Sequence, residues 1–303
     1  MNAITQLHPA EFPPLTSKTG FTCKAEPVYM QRRNDAGEIT GAQPIAAHSV
    51  IRRTDNGDAL GITGDRYTIA HNQGIYETIQ KAARDALPAD QLRGVTLSEF
   101  ASYGGTFTRF EIAFPGLTVP IRQYARDTEI QFKISVVNGF AGNSAVRVMA
   151  GAFDLICTNG MYLGEMDKAA ARHTASYTPA KFAAFIAGQI QEYSQRARLY
   201  QQWAVTEFSR DDFSTVLESA GVFSERRREA LLDQYSTEAA SRGHTLWAAY
   251  SAATFYASHN SERFGVRGSA TADNVAATLT EREAEVARFV DSPAWRNVAR
   301  VAA

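Results

Sequence analysis

Long apolar runs, dense cysteines and a targeting pattern are all missing from this sequence. No stretch of the 303 residues approaches the roughly eighteen uninterrupted apolar positions of a membrane-spanning helix. Only two cysteines occur, Cys23 and Cys157, whereas small secreted domains are stabilised by a dense, even set. The first residues show no basic start followed by an apolar run. These absences predict a cytoplasmic protein with no membrane partner.

An excess of charge of one sign is missing as well. The 31 basic and 32 acidic side chains give a formal charge of −1 at pH 7. This balance excludes an overall field that would draw the protein to nucleic acid or to an anionic membrane. Any nucleic-acid site must therefore be a local patch. Hydrophobic residues make up 45% of the chain, which is enough for a sizeable core.

Motifs for metals and nucleotides are also absent from the sequence. No two of the six histidines lie three to five residues apart, and the cysteines form no C-x-x-C pair. The glycine-bracketed turn over 139–144 lacks the Gly-Lys-Ser/Thr ending that binds phosphate and Mg²⁺. We therefore expect no cofactor and no metal, and we assign no catalytic residue.

Three regions of the chain differ in pattern. Residues 1–45 hold five prolines and a polar turn stretch, which predicts an irregular N-terminal arm that could wrap the body of the protein or reach a neighbouring subunit. Residues 46–176 contain strand-like runs around one helix over 73–86, and residues 177–303 show long helical periodicity. The predicted fold class is α+β, with an antiparallel β-sheet and a helix in the N-terminal half, followed by a helical C-terminal half packing on the sheet domain.

Alternation of apolar and polar residues locates the strands. Asn56-Gly57 is a tight-turn signal within a hairpin over 48–63. In the run over 107–114, Phe110 and Ile112 lie on one side and Arg109 on the other, as in a half-buried antiparallel strand. Further strands are predicted over Thr118–Arg126, Glu129–Asn138 and Ser144–Cys157.

The polar sides of these strands carry the candidate binding surface. Guanidinium groups can follow phosphates and an aromatic ring can stack on bases, which is how sequence-tolerant single-strand binding works. The candidate nucleic-acid-binding residues are Arg109, Arg122, Tyr124, Arg126, Lys133 and Arg147. The alternative is an ordinary solvated face in which Glu111, Asp127 and Glu129 neutralise the arginines.

Other groups admit both a functional and a structural interpretation. A second basic surface could form from the helical arginines Arg196, Arg198, Arg226, Arg227 and Arg228, or these could be the solvated sides of helices. Cys157 with His173 could form an activated nucleophile, but the apolar run before the cysteine favours a buried, inert thiol. Trp247 and Tyr250 have the spacing of residues on the core-facing side of a helix, which predicts that they pack in the core.

Four short segments occur in a recognisable order between residues 64 and 259. They are Gly64–Asn72 (GDRYTIAHN), Ile156–Gly160 (ICTNG), Arg172–Thr174 (RHT) and His244–His259 (HTLWAAYSAATFYASH). Together they resemble the phage- and plasmid-borne family known as domain of unknown function 932, although Ser251 stands where that pattern has an asparagine. The resemblance implies carriage on a mobile element and transfers no catalytic residue. The order of strands and helices is also loosely similar to single-strand annealing proteins of homologous recombination.

The sequence therefore favours a homo-oligomeric protein that binds or anneals single-stranded nucleic acid during replication or recombination of a mobile element. One alternative is a metal-dependent nuclease-like enzyme, for which Asp65, Asp154 and Glu165 are the candidate ligands. Another is a phage-encoded structural or inhibitory interaction protein, for which a near-neutral charge is no obstacle.

Overall fold

A computed structural model describes residues 12–125, 127–154, 160–161, 169–259, 271 and 273–301. Antiparallel sheets occupy the first half of this part of the chain and helices dominate the second half, so the predicted α+β class is confirmed. None of the helices within these ranges is both long enough and apolar enough to cross a membrane.

The first sheet is built from three consecutive strands. They are β1 (Cys23–Arg33), β2 (Ile39–Arg53) and β3 (Ala59–Gly64), paired antiparallel in the order β1-β2-β3. The predicted hairpin over 48–63 is confirmed, since β2 pairs with β3 across a turn in which Gly57 has a φ of 78°. Only glycine adopts this left-handed conformation without strain.

The prediction of an irregular arm over residues 1–45 is wrong for much of that region. Residues 23–33 and 39–45 lie in β1 and β2. Proline is tolerated in a strand where its missing N–H faces a free edge. Pro27 lies in the edge strand β1, and Pro44 lies in the part of β2 that β3 does not reach. Residues 1–11 lie outside the described residues, and the predicted division at residues 45 and 176 stays a prediction.

A larger antiparallel sheet follows the first helix, α1 (Asn72–Ala86), which lies where the sequence predicts it. Its strands are β4 (Thr96–Ser102), β5 (Phe107–Ile121), β6 (Thr128–Gly139), β7 (Val146–Asp154), β8 (Gly160–Met161) and β9 (Ala170–Ala171). The strand order is β4-β5-β6-β7-β8, and β9 also pairs with β7.

The separate strand predicted over Thr118–Arg126 is wrong. Strand β5 continues through Pro115-Gly116, with a register shift against β6 between Phe114 and Thr118, and it ends at Ile121. The Pro-Gly pair looks like a turn in the sequence, but here it is absorbed as an irregularity within one strand. Arg122 and Tyr124 therefore lie beyond the strand, in the loop between β5 and β6.

Helices build the second half of the chain. They are α2 (Ala183–Trp203), α3 (Arg210–Ala220), α4 (Glu225–Arg242), α5 (Leu246–Ser258), α6 (Val275–Val290) and α7 (Pro293–Val301). The main core joins the apolar face of the large sheet, including Phe110 and Ile134, to buried helical aromatics such as Trp203, Trp247 and Tyr250. The prediction that Trp247 and Tyr250 pack in the core is confirmed.

The opposite face of the large sheet is covered near β4 and β5. Helix α6 lies there: the Ala277 N–H donates to Ser102 Oγ at 3.2 Å, and Glu283 forms an ion pair with Arg109. The large sheet therefore has helical cover on both faces at this point. The β5–β6 loop with Arg122 and Tyr124 remains at the surface.

Candidate nucleic-acid interface

A surface cleft of about 740 Å³ opens beside the β5–β6 loop. Three segments form its walls: residues 122–124, residues 204–212 from the end of α2 to the first turn of α3, and residues 242–245 from the last residue of α4 to the start of α5. Tyr124 stands at this cleft with 84% of its surface exposed, and Arg122 beside it is exposed as well. Phe208 and Ala204 contribute buried apolar surface to the same cleft.

The loop that carries Tyr124 is fixed to the link between α4 and α5. The Ala125 N–H donates to the Ser241 carbonyl at 3.0 Å. Gln123 Oε1 accepts from the Trp247 indole N–H at 3.1 Å and from the Arg242 guanidinium. These bonds hold the residues on either side of Tyr124, so the exposed ring is displayed from an anchored backbone.

Gly243 makes this close approach possible. It caps α4 with a φ of 74°, a conformation that favours glycine. A Cβ at this position would lie 3.3 Å from Tyr124 Cβ, a tight contact that would press on the loop. The absence of a side chain at residue 243 thus helps to set the position of Tyr124.

A buried ionic network supports the floor of the cleft. Arg242 is 1% exposed and pairs with Asp154 and with Glu238, each at 2.8 Å. Thr128 Oγ1 donates to Asp154 Oδ1 at 2.7 Å. A buried charge is tolerated only where opposite charges and hydrogen bonds compensate its lost hydration. Arg242 is therefore a structural cation that anchors the loop through Gln123.

Two helices begin at the wall of the cleft. Helix α3 starts after Ser209, which forms a capping box with Asp212, and α5 starts after Thr245, whose hydroxyl accepts the Ala248 N–H at 3.2 Å. Helix N-termini favour anions. At α3 this positive end is compensated by Asp212, and at α5 the N–H groups of Leu246 and Ala248 are already bound by the Thr206 carbonyl and the Thr245 hydroxyl, so both N-termini are compensated within the fold.

The charges around the cleft are of both signs. Arg122 provides an exposed cation on one side, while Glu207 and Asp212 line the opposite segment. His244 also lines the cleft and its Nδ1 lies 3.1 Å from the hydroxyl of Tyr235. The arrangement offers a phosphate partner, a stacking ring and hydrogen-bond acceptors within one cavity.

Arg109 and Lys133 lie elsewhere, and their predicted exposure is wrong. Arg109 is 1% exposed and pairs with Glu283 at 2.6 Å (Nη2 to Oε1) and with Glu111, while Lys133 Nζ lies 3.0 Å from Glu111 Oε2. Burial raises the pKa of Glu111, but Arg109 and Lys133 outweigh this effect and lower that pKa to about 2. Alternation correctly separates the two faces of the strand, but it carries no information on α6 covering the polar face.

The remaining basic candidates do not join one surface in the described residues. Arg147 is half-buried in β7, and Arg126 lies outside the described residues. In α4, Arg227 pairs with Glu285 at 2.6 Å and Arg228 donates to the Phe223 carbonyl at 3.2 Å. The run of three arginines is thus divided among different contacts.

The catalytic and metal interpretations gain no support from the described residues. Cys157 and Glu165 lie outside them, and Asp154 is engaged by Arg242. His173 is buried, with Nδ1 3.2 Å from the Thr68 carbonyl. Among the described side chains, no group of three or more His, Cys, Asp or Glu is placed to hold a metal ion. Cys23 is buried, and burial raises the pKa of its thiol to about 12, which leaves it unreactive.

Sequence reasoning identified Arg122 and Tyr124 but missed the groups that position them. Gln123, Arg242 and Gly243 come from segments about 120 residues apart, and no local pattern links them. The one available signal was the Arg-Gly pair at the end of a helical pattern, which is typical of a helix C-terminus.

Comparison with known proteins identifies the family of this chain. The model of the family described as Domain of unknown function (DUF932) matches residues 59–291. No curated protein and no solved structure matches the chain. Since the match covers well over half of the sequence, the chain belongs to the family of domain of unknown function 932.

Proposed function

We propose that this protein binds single-stranded nucleic acid at the cleft beside Tyr124, without covalent chemistry. The observation that carries the proposal is the exposure of Tyr124, at 84%, on a loop anchored by Gln123 and Ala125. Leaving a large aromatic side chain in water forgoes roughly 1.5–3 kcal/mol of burial free energy. An anchored, exposed ring beside an arginine is the combination that stacks on a base and holds the adjacent phosphate.

The size and polarity of the cleft support the same ligand. Its volume of about 740 Å³ falls within the range of roughly 300–1,000 Å³ found for small-molecule sites. Arg122 would face a phosphate, and Glu207 would accept hydrogen bonds from amino groups of a base. Such groups are engaged in base pairs within a duplex, so this arrangement favours unpaired strands.

The proposed biological setting follows from the family resemblance. Carriage on a phage or plasmid, together with binding that tolerates any sequence, suits a protein that coats or anneals single strands during replication or recombination of a mobile element. The proposal places the protein in the cytoplasm, where the Cys23 thiol would stay reduced. It requires neither metal nor nucleotide.

Fluorescence anisotropy of labelled oligonucleotides over a salt series tests the proposal. Single-stranded and duplex oligonucleotides of equal length are titrated with the full chain, with no nucleotide or metal added. We expect tighter binding of the single strand and an affinity that falls with salt, because cation–phosphate contacts release counterions. Equal affinity for both forms, or no binding at low salt, would exclude the proposed function.

A further inference from the structure

The cleft beside Tyr124 holds a second exposed apolar side chain. Val205, in the segment after α2, lines the cleft with 77% of its surface exposed. Tyr124 and Val205 are the most exposed large apolar side chains among the residues that the structure describes. Both therefore remain available to a flat, largely apolar ligand such as a nucleobase.

The wall that contains Val205 carries two carboxylates, and the fold engages one of them. Asp212 Oδ2 accepts from the Ser209 N–H at 2.9 Å and from the Ser209 hydroxyl at 2.7 Å, within the cap of α3. Glu207 is exposed, and its carboxylate makes no hydrogen bond or ion pair within the described part of the chain. An isolated antiparallel bridge to Thr245 holds the Glu207 backbone. The Glu207 oxygens are thus available to a ligand.

His244 adds a second acceptor to the cleft. The Tyr235 hydroxyl donates to the Phe208 carbonyl, so it can only accept from His244 Nδ1, which lies 3.1 Å away. The neutral imidazole therefore carries its hydrogen on Nδ1 and offers a lone pair at Nε2. Because the side chains of Glu207 and His244 both offer acceptors, a matching base must present donors.

A carboxylate distinguishes the bases by the pattern of their unpaired edges. Guanine presents two adjacent donors, N1–H and the N2 amino group, which a carboxylate accepts as a bidentate pair. Adenine and cytosine present one amino group beside a ring nitrogen acceptor, and thymine presents one N–H between two carbonyl oxygens. In these three bases an acceptor would face the carboxylate and would be left unpaired, which is unfavourable.

We propose that the cleft selects an unpaired guanine, which stacks on Tyr124 and contacts Val205 while Glu207 accepts from its N1–H and its N2 amino group. Arg122, on the opposite side of the cleft, is then placed for the phosphate. The inference rests on the proposed single-strand binding and names the base that this site prefers. Stacking and the phosphate contact serve every base, so the preference grades affinity among sequences and excludes none of them.

Anisotropy with labelled pentanucleotides that differ only in the central base tests this preference. In a background of thymines, a central guanine should bind roughly tenfold tighter than a central thymine, because a bidentate pair is gained. Hypoxanthine is a purine that keeps N1–H but lacks the N2 amino group. It should therefore lose most of the gain although it can still stack. Adenine and cytosine should also bind less tightly than guanine.

Two variants assign the preference to Glu207. Glu207→Gln removes the bidentate acceptor and should abolish the difference between guanine and hypoxanthine. Glu218→Gln removes the same charge at an exposed position of α3 outside the cleft, and it should keep that difference. The affinity for the all-thymine strand should be similar in the two variants.

The outcomes separate this inference from the proposed function. If the wild type binds the all-thymine strand in a salt-dependent way but does not distinguish guanine from hypoxanthine, the selection of guanine is overturned and single-strand binding stands. A guanine preference that persists in Glu207→Gln also overturns the selection. Binding of none of these strands overturns the proposed function and the inference together.

Discussion

Burying a charged side chain costs free energy unless partners replace its lost hydration, and one network between the large sheet and α6 meets this condition. Arg109 and Lys133 share Glu111, and Glu283 from α6 completes the set. Because Glu283 is the member that α6 contributes, the network links this helix to the sheet. The same contacts make Arg109 and Lys133 structural residues.

Glu283→Gln should destabilise the fold by about 3 kcal/mol, because it removes a carboxylate from the buried Arg109 guanidinium. The free energy of unfolding is measured by urea denaturation. Glu281→Gln makes the same chemical change at an exposed position of α6 and should have little effect. Equal effects of the two substitutions would show that the buried pair contributes nothing specific.

Acid should weaken the same network. The pKa of Glu111 is about 2 in the folded protein against an ordinary value of 4.5. A carboxyl group with a depressed folded pKa contributes stability above its unfolded pKa and loses it as the pH falls through the folded value. The free energy of unfolding should therefore decrease between about pH 4.5 and pH 2, and this decrease should be smaller in Glu111→Gln. An identical pH profile in that variant would argue against this assignment.

At the scale of elements, the β5–β6 loop depends on two helices that follow it by more than a hundred residues. Trp247 and Arg242 both donate to Gln123 Oε1, and the Ser241 carbonyl accepts from the Ala125 N–H. The loop is thereby ordered without being covered. This is the physical basis for treating Tyr124 as a preorganised ring.

Gln123→Ala should reduce single-strand affinity by up to about fivefold, although neither Arg122 nor Tyr124 is changed. The substitution removes the shared acceptor and frees the loop. Gln123→Glu keeps an acceptor for both donors and should retain the affinity. Anisotropy with a single-stranded oligonucleotide measures both variants. If Gln123→Ala binds as tightly as wild type, anchoring of the loop is irrelevant to the ligand.

Elements were predictable from sequence where periodicity and turn chemistry act locally. Helix α1, the hairpin at Asn56-Gly57 and the apolar face containing Phe110 follow from such patterns. Strand β1, the outer part of β2 and the full length of β5 were not predictable in this way, because tertiary context decides their structure. Pro27 and Pro44 suggested irregular chain, yet both occupy free edges of a ribbon, and Pro115-Gly116 suggested a turn, yet β5 runs through it.

For the molecule as a whole, the sequence predicted the α+β class and the family but only part of the candidate site. Arg122 and Tyr124 were identified from a strand pattern that does not exist there, and they lie together for a different reason, as neighbours in an anchored loop. The cleft itself joins three distant segments, and its walls follow from helix packing. No local spacing could have predicted that assembly.

The most direct test of the central claim is the affinity of Tyr124→Ala for single-stranded oligonucleotide across a salt series. Loss of a stacking ring should weaken binding by at least about fivefold and leave the salt dependence unchanged. Arg122→Ala, measured in parallel, should instead reduce the slope of log Kd against log salt by about 0.7. Tyr103→Ala, at another exposed tyrosine outside the cleft, should bind as wild type does. Wild-type affinity in Tyr124→Ala would contradict single-strand binding at this cleft.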